Sequence, residues 1–369
     1  MKQKSLQKMM PFWKWLVSHQ AEYDLSKSNP PALNHEELED IKLPEIEFGK
    51  SHFHGSPELK KILANMYSVK EENVFIGGSA SDTNDLVFDT LIRKGDKVLV
   101  ESPVYPPLLE SPKRRASLVG AEVVSFKRKA KDGFQIGLEE ICKRIDKRTK
   151  LIVLTNLHNP SAVKVEEETI QELGRIAKKY GSLIMVDEVY RRYCPGLKSA
   201  YPTAKNALVT DSMNKYFGAA SLKQGWVIAD KGLVKALYAV QGYRSVTNAP
   251  FSEETTAALL PHKEIFDKRI KKHYDENFKV FEDWLKTRGD IELVKPDGKF
   301  CCFPKLTNVK NTSEFADHLY DRYGTLVVPG EFYGLAGHVR ICFGISKDVL
   351  EKALANIGKA LDDYGKKIR

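Results

Sequence analysis

Lys215 stands at the end of an apolar run. Ala207-Leu208-Val209-Thr210 leads into Asp211-Ser212-Met213-Asn214-Lys215-Tyr216-Phe217-Gly218. A lysine held at a strand end can serve as a nucleophilic amine, and Ser212, just before it, offers a hydroxyl to a phosphate. An earlier apolar run, Ser182-Leu183-Ile184-Met185-Val186, ends in Asp187-Glu188-Val189-Tyr190. A third, Lys150-Leu151-Ile152-Val153-Leu154, ends in Thr155-Asn156-Leu157-His158-Asn159-Pro160. Three strand ends therefore offer Asn159, Asp187 with Tyr190, and Lys215. These are the groups needed to hold a pyridine aldehyde: an amine to carry it, an acid for the ring nitrogen, and donors for the ring oxygen.

Such groups need a frame that gathers strand ends. From residue 73 to 230, short apolar strands alternate with polar-faced helices. The strand candidates are 73–76, 97–100, 122–126, 151–154, 183–186, 207–210 and 225–229. They are rich in Val, Ile and Leu without clean alternation, as expected for strands buried on both faces. Between them lie helices such as 165–180, with Ile170, Leu173, Ile176 and Ala177 at helical spacing. This alternation predicts an α/β layered domain with a mostly parallel sheet. Ligands of such sheets bind beyond the carboxyl ends of strands, where the three motifs fall. The last third differs. It reads as helices over 253–287, strands at 291–294, 299–303, 325–328 and 339–343, and helices at 313–323 and from 347. We expect a large α/β domain over 46–250 and a smaller α+β domain from 1–45 plus 251–369.

Composition bounds the function. A chain of 369 residues has room for about two domains of ~150 residues, and 42% hydrophobic content supplies a large core. No apolar run is long enough for a membrane span. The N-terminus, Met1-Lys2-Gln3-Lys4, is basic. The apolar stretch from Met9 to Val17 is too short and interrupted for a signal sequence. It reads as an amphipathic helix with Phe12, Trp13 and Leu16 as apolar contacts. Five cysteines without metal-ligand spacing suit a reduced, cytoplasmic setting. The net charge of +9 is spread among 49 acidic residues, which favours a solvated surface over a nucleic-acid partner.

A phosphate site is also legible. Gly77-Gly78-Ser79-Ala80-Ser81 follows a strand, and a helix is expected from about Asp82. Backbone N–H groups at a helix N-terminus bind anions, so Ser79, Ala80 and Ser81 are the candidates.

Taken in order, these motifs resemble the class I/II aminotransferases, pyridoxal-phosphate (PLP) enzymes of fold type I, across residues 45–350. The resemblance implies a three-layer α/β/α large domain with a smaller α+β domain. It makes Lys215, in Ser212-Met213-Asn214-Lys215 with Gly218 following, the Schiff-base lysine. It pairs Asp187 with the pyridine nitrogen and directs Tyr190 and Asn159 to the ring oxygen. Tyr105, in Ser102-Pro103-Val104-Tyr105-Pro106, becomes the ring that stacks on the cofactor. Arg340, following Pro329-Gly330-Glu331-Phe332-Tyr333-Gly334, becomes the bidentate clamp on the substrate α-carboxylate, with Asn159 beside it. Lys223 stands where the family has a phosphate-binding arginine, a point charge in place of a fork. Ser79, Leu157, Ala162 and Ser221 also depart from the pattern. Phe53 occupies the place of a phosphate-binding tyrosine contributed by the neighbouring subunit, with His52 and His54 as possible substitutes. His158 is either a base or a loop residue near the site.

The implied activity is transfer of an amino group from an L-amino acid to a 2-oxo acid through Lys215, in a homodimer. A PLP-dependent lyase or decarboxylase would use the same groups. A non-catalytic PLP-binding regulator fits less well with Lys215, Asp187 and Tyr190 all present. Lys113-Arg114-Arg115 follows Tyr105 closely. It either draws an anionic substrate side chain to the site mouth or is a basic surface helix.

Overall fold

The computed structural model describes residues 9–367 apart from His35 and Ile46. The basic start at 1–4 lies outside the described residues. The first helix, α1 (Pro11–Ser18), begins on Pro11, whose fixed φ suits a first helical position. Downstream, β1 (Tyr23–Asp24) pairs in parallel with Thr325–Leu326. The N-terminal segment therefore packs on the last third of the chain. Next comes α2 (Pro57–Tyr67), with Ser56 as its N-cap.

All seven strands expected between residues 73 and 230 form, and they lie in one sheet. They are β2 (Val74–Gly77), β3 (Lys97–Ser102), β4 (Glu122–Lys127), β5 (Thr149–Thr155), β6 (Leu183–Asp187), β7 (Ala207–Ser212) and β8 (Gly225–Ile228). The order is β2-β8-β7-β6-β5-β3-β4. Strands β3 to β7 run parallel, and β8 runs antiparallel to both β2 and β7. Every residue of β2, β3, β7 and β8 is buried, while the edge strand β4 is partly exposed.

Successive side chains of a strand point to opposite faces, and both faces are covered here. On one, Leu86, Val87 and Phe88 of α3 (Ala80–Leu91) join Val98, Val100, Leu151 and Val153. On the other, Ile170, Leu173 and Ala177 of helix Glu167–Lys179 join Ile152, Leu154, Ile184 and Val186. Truncating one such side chain, for example Leu173→Ala, costs about 2–5 kcal/mol. The result is the expected three-layer α/β/α arrangement. The long α4 (Pro106–Val119) leads away from β3.

The last third holds a small antiparallel sheet of Cys301–Cys302, Val339–Cys342 and Val328–Pro329. Its expected long helical stretch is broken into Pro250–Leu259, Lys263–Ile270, a π turn at Lys271–Asp275, and Glu276–Leu285. Helix α3 starts at Ala80 rather than near Asp82. The Ser79 hydroxyl accepts from the Asp82 N–H at 3.2 Å and caps the first turn. Among the described residues no helix is long and apolar enough to cross a membrane.

Candidate active site

Strand register gathers one set of ends. Gly77 lies opposite Gly225, Gly225 opposite Ser212, and Thr155 opposite Asp187. These are the carboxyl ends of the parallel strands, together with the first residue of the reversed β8. A cavity of about 640 Å³ opens there. Ser79, Ala80, Ser81, Tyr105, Asn159, Asp187, Tyr190, Ser212, Lys215, Lys223 and Arg340 all line it.

The Lys215 amine donates to Asn29 Oδ1 at 2.6 Å and Ser28 Oγ at 3.1 Å. It lies 5.6 Å from the centre of the Tyr190 ring. Burial, assisted by the nearby Arg340 charge, lowers its pKa to about 8. A sizeable neutral fraction at ordinary pH is what a nucleophilic lysine needs.

Asp187 is held on both oxygens. Asn84 Nδ2 donates to Oδ2 at 2.9 Å, and the Val189 N–H donates to Oδ1 at 3.2 Å. Burial raises its carboxyl to about 6, against the pull of the Asn84 bond. A cationic ring beside it would restore the carboxylate. Tyr190 stacks on Phe300 with centroids 3.8 Å apart and planes 4° from parallel. Its hydroxyl meets Ser28 Oγ at 2.7 Å, and burial raises the phenol pKa.

Arg340 is buried, yet no carboxylate among the described residues pairs with it. Its Nη1 donates to Asn159 Oδ1 at 3.0 Å and its Nη2 to the Ser26 carbonyl at 2.7 Å. Its Nε has no partner. Asn159 is held in turn, its N–H donating to Thr155 Oγ1 at 3.0 Å. That hydroxyl donates to Glu101 Oε1 at 2.6 Å, and Glu101 pairs with Arg128 at 2.7 Å.

The first turn of α3 makes the other end. A Cβ on Gly225 would come within 2.4 Å of the Ser79 carbonyl carbon and 2.8 Å of the Ala80 nitrogen. Glycine there lets the start of α3 rest on β8. Lys223 faces the same cavity from a left-handed backbone position, φ 50°.

Other expectations resolve differently. Lys113, Arg114 and Arg115 lie on α4 and do not line the cavity. They pair with Glu110, Asp85 and Asp89 at 2.9, 2.9 and 2.8 Å. Of the two readings, the basic surface helix holds and the steering of a substrate at the site mouth does not: near neighbours in α3 and α4 already neutralise these charges. His158 is fully buried beneath the site. Its ring nitrogens meet Ser161 Oγ at 2.6 Å and the Pro103 carbonyl at 2.9 Å, and burial pushes its pKa well down. Phe53 is 70% exposed and outside the cavity, and His52 binds Glu254 at 3.2 Å.

Sequence reasoning missed Asn84, Ser28 and Asn29. Asn84 lies one helical turn past Ala80 on α3, and a polar residue on an inward turn was the available signal. Ser28 and Asn29 arrive through the β1 pairing and leave no local mark.

The match to the family model for aminotransferase class I and II spans residues 20–357. The chain belongs to that family. It is 27% identical over 323 residues to an aspartate aminotransferase of Pyrococcus horikoshii, covering 84% of this chain and 82% of that protein. It is 26% identical over 291 residues to a capreomycidine synthase of Streptomyces vinaceus, covering 78% and 74%. A solved PLP-dependent aminotransferase from Streptococcus suis superposes with a TM-score of 0.88 at 26% identity, covering 97% of this chain and 99% of that one. The architecture is that of fold-type-I PLP enzymes.

The residues present fit that cofactor. The cavity is lined by an amine of lowered pKa, a buried acid, a helix N-terminus, the further lysine Lys223, and an arginine without a counter-charge. A pyridine aldehyde phosphate and a substrate carboxylate together supply what these groups lack. Among the described residues no cluster of His, Cys, Asp or Glu is arranged to hold a metal.

Proposed function

We propose that the chain is an aminotransferase that moves an amino group from an L-amino acid to a 2-oxo acid. The observation that carries this reading is the convergence of Lys215, Asp187 and Arg340 on one cavity with the start of α3. Bound PLP would supply an electron sink for the substrate's α-carbon. Ser79, Ala80 and Ser81 at the α3 terminus, with Ser212 and Lys223, would hold the phosphate. Tyr105 would stack on the ring, Asn159 and Tyr190 would donate to its oxygen, and Asp187 would hold the proton on its nitrogen. Arg340 would bind the α-carboxylate and so aim the α-hydrogen. Lys215, released from its cofactor bond, would take that proton as general base and return it one atom further along. Ser28 and Asn29 orient the amine for both duties.

Stopped-flow absorbance tests the reading. Mixing the PLP-loaded enzyme with one amino acid and no oxo acid should convert the cofactor stoichiometrically to its amine form. A cofactor that returns to Lys215 after each turnover would contradict it. One observation favours a second reading, a PLP-dependent lyase or decarboxylase: a relative of similar identity is named a synthase rather than an aminotransferase. The same trace separates the two.

A homodimer is part of the proposal. Phe48, Phe53 and Tyr243 are 96%, 70% and 93% exposed, and large exposed apolar side chains support an interface. Cytoplasmic placement is supported by the five free thiols.

A further inference from the structure

The strap that carries Ser28 and Asn29 is held in two separate ways. Residues 23–26 are fixed by the last third of the chain. There β1 pairs with Thr325–Leu326, the Cys342 N–H donates to the Leu25 carbonyl at 3.0 Å, and Arg340 donates to the Ser26 carbonyl at 2.7 Å. Beyond Asn29 the hold is different. Pro30 and Pro31 have no N–H to donate. The next two carbonyls are taken by one side chain: Arg269 Nη2 donates to Pro31 at 2.8 Å and to Ala32 at 3.0 Å. Arg269 Nε pairs with Glu37 at 2.5 Å. Glu37 Oε2 in turn accepts from the Asn34 N–H at 3.0 Å.

The helix that bears Arg269, Lys263–Ile270, also supports the loop after Lys215. Asp267 accepts from the Tyr216 hydroxyl, and Phe266 meets Phe217 edge-on at 5.0 Å. Arg269 covers Gly218, where a Cβ would come within 2.8 Å of Arg269 Nη1 and 3.2 Å of the Pro31 carbonyl. The Gly218 carbonyl accepts from the Leu33 N–H at 3.2 Å. Arg269 therefore sits where the strap and the Lys215 loop meet, outside the cavity lined by the reacting groups. All of these contacts lie within one chain. Strap and loop join again at the amine, where Asn29 Nδ2 donates to Asn214 Oδ1 at 3.0 Å beside its bond to Lys215. The two prolines fix φ between Asn29 and Ala32, so a shift at Pro31 is carried to Asn29.

We infer that Arg269 is a positioning residue: with Glu37, it holds residues 29–33 against the Lys215 loop and so keeps Ser28 and Asn29 on the Lys215 amine. This rests on the reading of Lys215 as the lysine that takes the cofactor. The carboxylate clamp should not share the dependence, because Arg340 and Ser26 lie on the separately held side of the strap.

The test reads the pH dependence of PLP capture by cofactor-free enzyme, and the half-reaction of loaded enzyme with one amino acid. Burial is the main cause that lowers the Lys215 pKa to about 8, so a loosened strap admits water and raises it. In Arg269→Met, capture should level off at higher pH than in the wild type. A rise of about half a unit slows capture at pH 7 about threefold. The saturated half-reaction should slow about 10–100-fold, as a misplaced amine would. The amino-acid concentration giving half that rate should change less than about twofold. Glu37→Gln should move both readings the same way by less, and it carries the test if Arg269→Met fails to fold. Arg269→Lys keeps the charge without the fork and should recover part of the rate. Wild-type profile and rate in Glu37→Gln and in folded Arg269→Met overturn the inference. So does a half-saturating concentration that rises as far as the rate falls, which marks general loosening of the site. Capture by Lys215→Ala at the wild-type rate would instead sink the reading of Lys215, and this inference with it.

Discussion

Two buried arginines of this protein have opposite surroundings. Arg128 and its partner Glu101 are both sealed from solvent and 2.7 Å apart, and Arg128 Nε also donates to the Phe134 carbonyl at 2.5 Å. Arg340, 2% exposed, has only the neutral oxygens of Asn159 and Ser26. A buried charge left without a counter-charge is costly. Beside an open cavity, a ligand's anion would remove that cost. Arg128 holds the floor in place, and on our proposal Arg340 receives the substrate's carboxylate. Lys113, Arg114 and Arg115 make the third case, charges neutralised on the surface.

Mutation should split the two arginines. Arg128→Met leaves Glu101 buried and unpaired. It should cost about 3–5 kcal/mol of stability, read as a lower denaturant midpoint. Because Glu101 supports Thr155 and Thr155 supports Asn159, activity should fall with it. Arg340→Met removes an unpaired charge. Its denaturation midpoint without ligand should stay level or rise, while kcat/KM falls by the equivalent of about 2–5 kcal/mol. Equal destabilisation by both substitutions would erase the distinction.

Lys215 gives a pH test of the same idea. Its pKa is lowered to about 8, so the reactive neutral amine grows as pH rises towards 8. The rate at which cofactor-free enzyme captures PLP should climb about tenfold per pH unit below 8 and level off above it. A climb that continues through pH 10 would mean an ordinary, solvated lysine. The smallest effect belongs to α4. Arg114→Ala with Arg115→Ala removes two partly exposed pairs. It should change stability by about 0–1 kcal/mol per pair and leave the salt dependence of kcat/KM unaltered.

Much of this was legible in the sequence because strand ends are local features. Apolar runs ending in Asn159, Asp187 and Lys215 placed three groups on one edge once the strands were taken as parallel. The sheet's register then confirmed their neighbourhood. Arg340 was legible only through its resemblance to a family motif, since its strand lies in the small antiparallel sheet. What stayed hidden depends on long-range packing. Ser28 and Asn29 reach Lys215 because β1 pairs with Thr325–Leu326, a contact spanning most of the chain. The Lys113-Arg114-Arg115 run stayed open between two readings because its counter-charges Asp85 and Asp89 sit on a different helix. Charge read along a chain says nothing of charge brought beside it by folding.

The claim that Lys215 carries the cofactor has the most direct test. The PLP-loaded protein is reduced with borohydride, digested and mapped for the pyridoxyl group, alongside Lys215→Ala. We expect one labelled peptide, modified at Lys215, and no label or visible cofactor absorbance in the variant. Its turnover should fall by about 10⁴-fold, the upper end of what a positioned base supplies. A pyridoxyl group on another lysine, or stoichiometric label retained by Lys215→Ala, would contradict the account.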